Sequence, residues 1–203
     1  MTSRAFAVVA SFEEAMAEYA GSKYGVATDS CTTALFLSCL YRKIGDGPRI
    51  VIPKRTYISV PNAIMRAGGS VRFMDYEWEG AYALVPTDII DSALRMRMGM
   101  YEGGLHCVSF HMRKHLKIGR GGMILLDDPV AAEWFRKMRF DGRDGSVPFM
   151  SDQVLMHGFN AYMLPEQAAR GLQLLEALPA DNPDILNGYP DLSVLPAFRG
   201  VGK

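Results

Sequence analysis

The sequence predicts an α/β fold in which a mostly parallel sheet is sandwiched by helices. Short apolar runs alternate with longer segments of helical periodicity, and the runs occupy residues 24–28, 49–53, 71–74, 107–110 and 123–126. Such alternation is typical of strand-helix-strand units, whose parallel strands are covered on both faces. With 203 residues, 49% of them hydrophobic, the chain is long enough for one well-buried domain.

The composition argues against nucleic acid or an anionic membrane as a partner. Lysine plus arginine equals aspartate plus glutamate, at 22 each, so no overall charge attracts a polyanion. Cys31, Cys39 and Cys107 lie in apolar surroundings without C-x-x-C spacing, which disfavours a disulfide framework or a metal site. The sequence shows no apolar run of the roughly 18 residues that a membrane span needs, and no signal peptide. We therefore expect a cytoplasmic protein.

The first third of the chain predicts a helix, a strand and an anion-attracting helix start. Ser11 and Glu14 have the spacing of a capping box, which predicts that a helix begins there and ends at Gly21. After the strand at 24–28, hydroxyl residues including Thr32 and Thr33 precede a helix predicted at 34–42. Amide donors and the positive end of the dipole suit a phosphate at this point. Simple capping is the alternative.

The next segment predicts another strand-helix-strand unit. Pro53 stops the strand at 49–53, and a loop at 54–57 leads into a helix that ends at Ala67, before two glycines. A strand follows at 71–74. Ligands of such sheets sit at the carboxyl ends of the strands, so Tyr57 is a candidate contact, although an exposed loop tyrosine is equally compatible. Residues 76–87 show little periodicity.

A lysine lies between two apolar strands in the stretch from 107 to 128. The loop that carries Lys114 also contains His111, Arg113, His115 and Lys117. Burial and nearby positive charge both lower the pKa of a lysine and free its amine as a nucleophile, which suits Schiff-base chemistry. The alternative is a solvated loop lysine among other basic residues.

The last third predicts two helices and an irregular tail. Residues 129–139 form one predicted helix, and Pro165 begins another that runs to about Leu175. Beyond Pro179 the chain is rich in proline, glycine and aspartate. The predicted organisation is a compact α/β domain over 1–178 and an irregular C-terminal tail over 179–203.

Several motifs occur in an order that resembles one enzyme family. The pattern S-F-H-x-x-K, followed by G-x-G-G-M, resembles the lysine region of the DegT/DnrJ/EryC1/StrS family of pyridoxal-phosphate (PLP) sugar aminotransferases. Residues 30–35 resemble its S-G-T-x-A-L motif, with Cys31 in place of glycine. Residues 88–93 resemble its D-A-A strand end, and 158–163 its G-x-N-x-R/K-M motif, with Tyr162 in place of the basic residue.

The resemblance implies a role for each matched residue. Lys114 corresponds to the lysine that holds PLP as a Schiff base, and Asp91 to the carboxylate that keeps the pyridine nitrogen protonated. Tyr57 corresponds to the aromatic residue stacked on the ring. The implied phosphate contacts are Thr32, Thr33, Ser109 and, from the neighbouring subunit, Asn160. A homodimer with shared active sites follows. On residues alone, Asp91 as a helix N-cap and Asn160 as a turn residue stay open.

The resemblance also implies a reaction. It is transfer of an amino group from an amino acid, glutamate by analogy, to a keto-sugar that is nucleotide-linked. The short distance from Asp75 to Asp91 suggests that one βαβ unit of the PLP-dependent transferase fold type I large domain is lacking, together with the C-terminal small domain. A degenerate PLP-binding or purely structural dimeric subunit is therefore the alternative. A sugar dehydratase is disfavoured, because histidine replaces the lysine in dehydratases that resemble this family.

Overall fold

A computed structural model describes residues 4–199, with side chains from Phe6 onward. Its α-helices are α1 (Arg4–Ala20), α2 (Cys31–Tyr41), α3 (Ser59–Arg66), α4 (Pro129–Met138) and α5 (Pro165–Glu176). Its strands are β1 (Tyr24–Thr28), β2 (Ile50–Pro53), β3 (Val71–Met74), β4 (Tyr82–Ala83), β5 (Ile89–Asp91), β6 (Leu105–Ser109) and β7 (Gly122–Leu126). The predicted strands and helices are therefore present, most of them within three residues of the expected bounds.

The strands form a mixed sheet in which most strands share one direction. One sheet has the order β1-β7-β6-β5-β4, and β2 pairs with β3 beside it. A bridge between Val51 and Val85 joins the two, through two backbone hydrogen bonds of 2.8 and 3.2 Å. From the pairings, β1, β2, β3, β5 and β6 run in one direction, whereas β4 and β7 run in the other. This agrees with the predicted, mostly parallel sheet.

Helices cover both faces of the sheet, and each face has its own apolar core. One core packs α2, α3 and α4 against the sheet, and Leu35 and Phe135 are among its fully buried side chains. The other packs α1 and α5 against the opposite face, around Phe12. Neighbouring residues of β7 point to opposite cores: Met123 to the second and Ile124 to the first. The sandwiched arrangement predicted from the sequence is thus confirmed.

Helix α1 begins earlier than the sequence predicts. The expected start at Ser11 is wrong, because Ser11 is an exposed residue in the middle of the helix. Val9 continues the buried face of Phe12 and Met16 toward the N-terminus, so tertiary packing extends the helix past the capping-box signal. The predicted end is confirmed: Gly21 has φ 86° and its amide bonds to the carbonyl of Ala17.

The segment without periodicity, residues 76–87, contains a strand that the sequence did not reveal. Strand β4 pairs antiparallel with β5, and Val85 then reaches β2. Tyr82, in β4, and Leu84, just after it, are buried. The segment therefore connects β5 to β2 through backbone pairing, where a further helix and strand could otherwise stand. Two paired residues are too few for an alternating pattern, which explains the missed strand.

The segment after α5 has little regular structure but is fixed to the rest of the domain. It contains two 3-10 turns, Leu192–Val194 and Pro196–Phe198. Leu192 and Phe198 are buried, and the Phe198 ring packs edge-on against Phe73. The amide of Asn182, also buried, donates to the carbonyl of Met96 at 2.9 Å.

Three observations on residues 4–199 concern membranes, metals and cysteines. None of the helices in this range is both long and apolar enough to cross a bilayer. No group of three or more histidine, cysteine or acidic residues there is placed to hold a metal ion. Cys31, Cys39 and Cys107 are free thiols.

Candidate active site

A cavity of about 260 Å³ lies at the carboxyl ends of the parallel strands. It is slightly smaller than the roughly 300–1,000 Å³ usual for small-molecule sites. Asp91 is the last residue of β5 and Ser109 the last of β6, so both strands deliver a side chain to this edge. The structure brings together Thr32, Tyr57, Asp91, Ser109 and Lys114, all of which line the cavity.

Lys114 reaches the cavity from a loop between β6 and β7. Leu116 and Ile118 are buried and anchor this loop, and the amide of Lys114 closes a turn onto the carbonyl of His111. Lys114 is only partly exposed, so it is not the fully solvated loop lysine of the alternative interpretation. Burial lowers the pKa of its amine, although the negative charge of Asp91 opposes that shift. The amine is therefore more easily deprotonated than that of an ordinary lysine.

Asp91 is a buried carboxylate, only 4% exposed. Its Oδ1 accepts a hydrogen bond of 3.0 Å from the amide of Ala93. No helix begins after Asp91, so the alternative of a helix N-cap is wrong. Within residues 4–199 no lysine, arginine or histidine forms an ion pair with this carboxylate. Burial raises its pKa, against the hydrogen bonds from Ala93 and Tyr82 and the charge of Lys114.

The start of α2 forms another wall. Ser30 is the N-cap and accepts a hydrogen bond of 3.2 Å from the amide of Thr33. Thr32 lines the cavity, whereas Thr33 does not, because its hydroxyl donates to Asp29 at 2.5 Å. Of the two predicted threonines, Thr32 thus faces the cavity, whereas Thr33 stabilises the turn. The cysteine in the glycine position, Cys31, also lines the cavity, and burial raises its thiol pKa well above the ordinary value.

Asn160 lies outside the cavity of its own chain. Its side-chain amide donates to Asp141 at 3.3 Å, and its backbone forms a bridge with Phe140. A contact with the site of a neighbouring subunit therefore stays a prediction.

Tyr189 and Arg120 line the cavity, and sequence reasoning missed both. Tyr189 comes from the tail, and its hydroxyl lies 3.4 Å from Nζ of Lys114. Its ring centroid is 5.7 Å from that of Tyr57, which is half exposed. Arg120 forms an ion pair of 2.8 Å with Asp29 beside the start of α2. Only the position of Arg120 within the G-x-G-G motif could have suggested a role; Tyr189 carries no local signal.

This architecture, with a lysine and a buried carboxylate at neighbouring strand ends, is that of the fold type I large domain of PLP-dependent transferases. Similarity to solved structures supports the fold. AtS13 from Actinomadura melliaura matches with a TM-score of 0.72 at 22% identity, over 84% of this chain and 60% of that one. The structure of 3-amino-5-hydroxybenzoic acid synthase matches with a TM-score of 0.71 at 19% identity, over 84% and 56%.

Sequence comparison identifies the family. The DegT/DnrJ/EryC1/StrS aminotransferase family matches residues 3–94 and 92–183, and the chain belongs to it. GDP-perosamine synthase of Caulobacter vibrioides is 27% identical over 83% of this chain. Spore coat polysaccharide biosynthesis protein SpsC of Bacillus subtilis is 28% identical over 84%. The chain covers 56% and 57% of these two relatives, so it spans little more than half their length.

The residues of the cavity fit PLP, the cofactor of this family's aminotransferases. PLP offers an aldehyde, a basic pyridine nitrogen and a phosphate. Against these the cavity presents the amine of Lys114, the buried carboxylate of Asp91 and the N-terminus of α2. A buried carboxylate without a cationic partner is costly to maintain, and a protonated pyridine nitrogen would supply that partner.

Proposed function

We propose that this protein is a PLP-dependent aminotransferase that moves an amino group from an amino acid to a keto-sugar. One observation carries the proposal: the partly buried amine of Lys114 and the buried carboxylate of Asp91 line the same cavity. Perturbed ionisable groups that meet in a cavity are typical of catalytic sites. A structural remnant would need neither group.

The walls of the cavity assign binding roles. Thr32 and Ser109, together with the backbone amides at the start of α2, would hold the phosphate, because a helix N-terminus favours an anion. Tyr57 would stack on the ring, and its half-exposed side chain leaves a face available for this contact. Thr33 would act indirectly by fixing Asp29 through its hydroxyl.

Two residues would carry the chemistry. PLP, when bound, supplies an electron sink that stabilises negative charge at the α-carbon of the amino donor. Asp91 would hold a proton on the pyridine nitrogen through its negative charge. Lys114 would attach the cofactor and, when released from it, move a proton at the donor α-carbon, for which a lowered amine pKa is suitable.

The identity of the substrates is the finer part of the proposal. Two relatives are named for GDP-perosamine and for spore coat polysaccharide, which favours a nucleotide-linked keto-sugar as the acceptor. Glutamate is the proposed donor, by resemblance to the family. Within the cavity no described residue specifies one sugar over another.

Covalent attachment of PLP tests the proposal. The purified protein with PLP should show a visible absorption band that borohydride removes, with the label mapped to Lys114. Replacing Lys114→Ala should abolish the band and the label without changing the melting temperature by more than about 2 °C, because a loop lysine contributes little to the core. Lys117→Ala, an exposed neighbour in the same loop, is the matched control and should label normally.

Label at Lys54 or Lys117 in the Lys114→Ala variant would refute the assignment. A second candidate function is a PLP-binding or structural subunit without transaminase activity. The short connection between Asp75 and Asp91, where the resembled fold has a further βαβ unit, favours it. Normal labelling of Lys114 combined with no amino transfer from any amino acid would select this second function.

A further inference from the structure

A segment of the tail contributes Tyr189 to the wall of the cavity. We call residues 180–192 the strap. It begins shortly after α5 and reaches the carboxyl end of β2, and between these points the hydroxyl of Tyr189 lies 3.4 Å from Nζ of Lys114. The resemblance to known enzymes assigns nothing to this segment, and the matched family region ends at residue 183.

The first end of the strap is held by buried polar contacts. Asp184, whose side chain is 5% exposed, forms an ion pair with Arg95 at 2.5 Å. The amide of Ile185 bonds to the carbonyl of Leu94 at 2.9 Å. Gly80 permits this approach, because a Cβ atom at that position would overlap the Asp184 carboxylate. This ion pair, with its carboxylate buried, holds the strap better than a fully exposed pair would.

The second end is held at the carboxyl end of β2. Nζ of Lys54 lies 3.1 Å from the carboxylate of Asp191, and the amide of Leu192 bonds to the carbonyl of Lys54 at 2.9 Å. Asn187 donates to the carbonyl of Arg55 at 3.1 Å. The strap is therefore tied on both sides of Tyr189.

Between these anchors Tyr189 enters the cavity. Its ring packs against Tyr57, at a centroid distance of 5.7 Å, and against Trp78, stacked at 6.5 Å. Its hydroxyl is the hydrogen-bond partner of Nζ of Lys114, at 3.4 Å. Burial raises the pKa of this hydroxyl to about 12, so it stays protonated and can accept a hydrogen bond from an ammonium group.

We propose that Tyr189 is a positioning residue for Lys114, and that the strap which carries it forms the outer wall of the cavity. The hydroxyl orients the amine toward the carboxyl ends of β5 and β6, and the aromatic ring keeps water from it. The proposal rests on the proposed function for its catalytic meaning. The effect of Tyr189 on the position and protonation of the Lys114 amine does not depend on that function.

The two effects of Tyr189 on the lysine have opposite signs, which makes them separable. The hydroxyl stabilises the ammonium form, so its loss alone lowers the pKa of Lys114. The ring excludes water, so its loss raises that pKa toward the ordinary value. The other ionisable groups that line the cavity are Cys31, Tyr57, Asp91, His111, Arg113 and Arg120, and neither substitution alters them.

The test measures the titration of Lys114 in the protein without added cofactor. The rate of acetylation by acetic anhydride is followed against pH, and the modified peptide is quantified by mass spectrometry. Tyr189→Phe should move the midpoint down by about 0.5–1 pH unit. Tyr189→Ala removes the ring as well as the hydroxyl, so its midpoint should lie above that of Tyr189→Phe by about 0.5 pH unit or more. Tyr162→Phe and Tyr162→Ala alter a partly buried tyrosine of another aromatic cluster, and they should leave the midpoint unchanged.

Unshifted midpoints in both Tyr189 variants would overturn the proposal, as would a Tyr189→Ala midpoint at or below that of Tyr189→Phe. Tyr189→Phe keeps the ring contacts, so it remains informative even where Tyr189→Ala is unstable. Failure of the proposed function has a different signature: the unmodified protein would not attach PLP, while the titration of Lys114 would still respond to Tyr189.

Discussion

At the scale of single residues, the two central groups of the cavity are held in unfavourable environments. Burial raises the pKa of Asp91 and lowers that of Lys114, so in both cases the charged form is disfavoured. These two buried groups lower the free energy of unfolding of the protein without its ligand. Such a loss of stability is typical of functional sites.

Replacing Asp91→Asn should therefore stabilise the protein and impair its reaction. Near neutral pH, without cofactor, we expect the free energy of unfolding to rise by about 1 kcal/mol, because an amide is cheaper to bury than a carboxylate. Amino transfer should fall by about 100-fold or more, because a neutral amide cannot hold the pyridine nitrogen protonated. Denaturant unfolding and the rate of the half-reaction with an amino donor measure the two effects.

The stability advantage of Asp91→Asn should depend on pH, and the raised pKa of Asp91 sets the direction of that dependence. The carboxyl of Asp91 has a higher pKa folded than unfolded, so the folded state binds the extra proton and loses stability as pH rises through that interval. The advantage of Asp91→Asn should thus be small in acid, below the unfolded pKa of 3.8, and grow toward neutrality. An advantage that is independent of pH, or a half-reaction at the normal rate, would remove Asp91 from the proposed role.

At the scale of elements, the cavity depends on close contact between β7 and the start of α2. Gly122 begins β7, and a Cβ atom there would overlap the backbone of Ser30 and Cys31. The helix N-terminus can therefore approach the sheet only because this residue has no side chain. The contact sets the position of Thr32 at the cavity wall.

Replacing Gly122→Ala should destabilise the protein by about 2–3 kcal/mol, because backbone rather than a flexible side chain opposes the added methyl group. Gly188→Ala is the matched control: its Cβ would meet open space, and we expect a change within about 0.5 kcal/mol. Chemical denaturation compares the two variants. Equal stabilities would show that the start of α2 can move away from the sheet without cost.

At the scale of the whole molecule, one candidate residue points to a second subunit. Asn160 lies outside its own cavity, as a residue that serves a partner's site would. Near it in sequence, Phe149, Met150 and Leu155 expose 65%, 94% and 88% of their surfaces. Large apolar side chains exposed to this degree favour burial in an interface. The twofold dimer remains a prediction.

Subunit mixing tests shared sites. Lys114→Ala and Asn160→Ala chains should each be inactive alone, but their hybrid dimer combines one doubly altered site with one intact site. Random exchange makes half of the dimers hybrid, so activity should return to about one quarter of the unmodified level. Two results would argue against shared sites: no recovery after demonstrated subunit exchange, or a monomer in solution that binds one PLP per chain.

The sequence by itself determined the parts of the site that depend on local pattern. Thr32 follows a helix cap, and Asp91 and Ser109 end short apolar strands. Because strands of one direction end at the same sheet edge, these positions and Lys114 could be expected to meet. The resemblance to the family then supplied a cofactor and an order of motifs, and the family match agrees with it.

Only the tertiary structure decided the remainder. Tyr189 reaches Lys114 across 75 positions of the chain, and β4 is a strand only because β5 lies beside it. Thr33 differs from Thr32 through the orientation of one hydroxyl toward Asp29. Such contacts join groups far apart in sequence, or depend on which way one side chain turns. Neither leaves a periodicity or a spacing in the sequence, because both arise from packing after the elements have assembled.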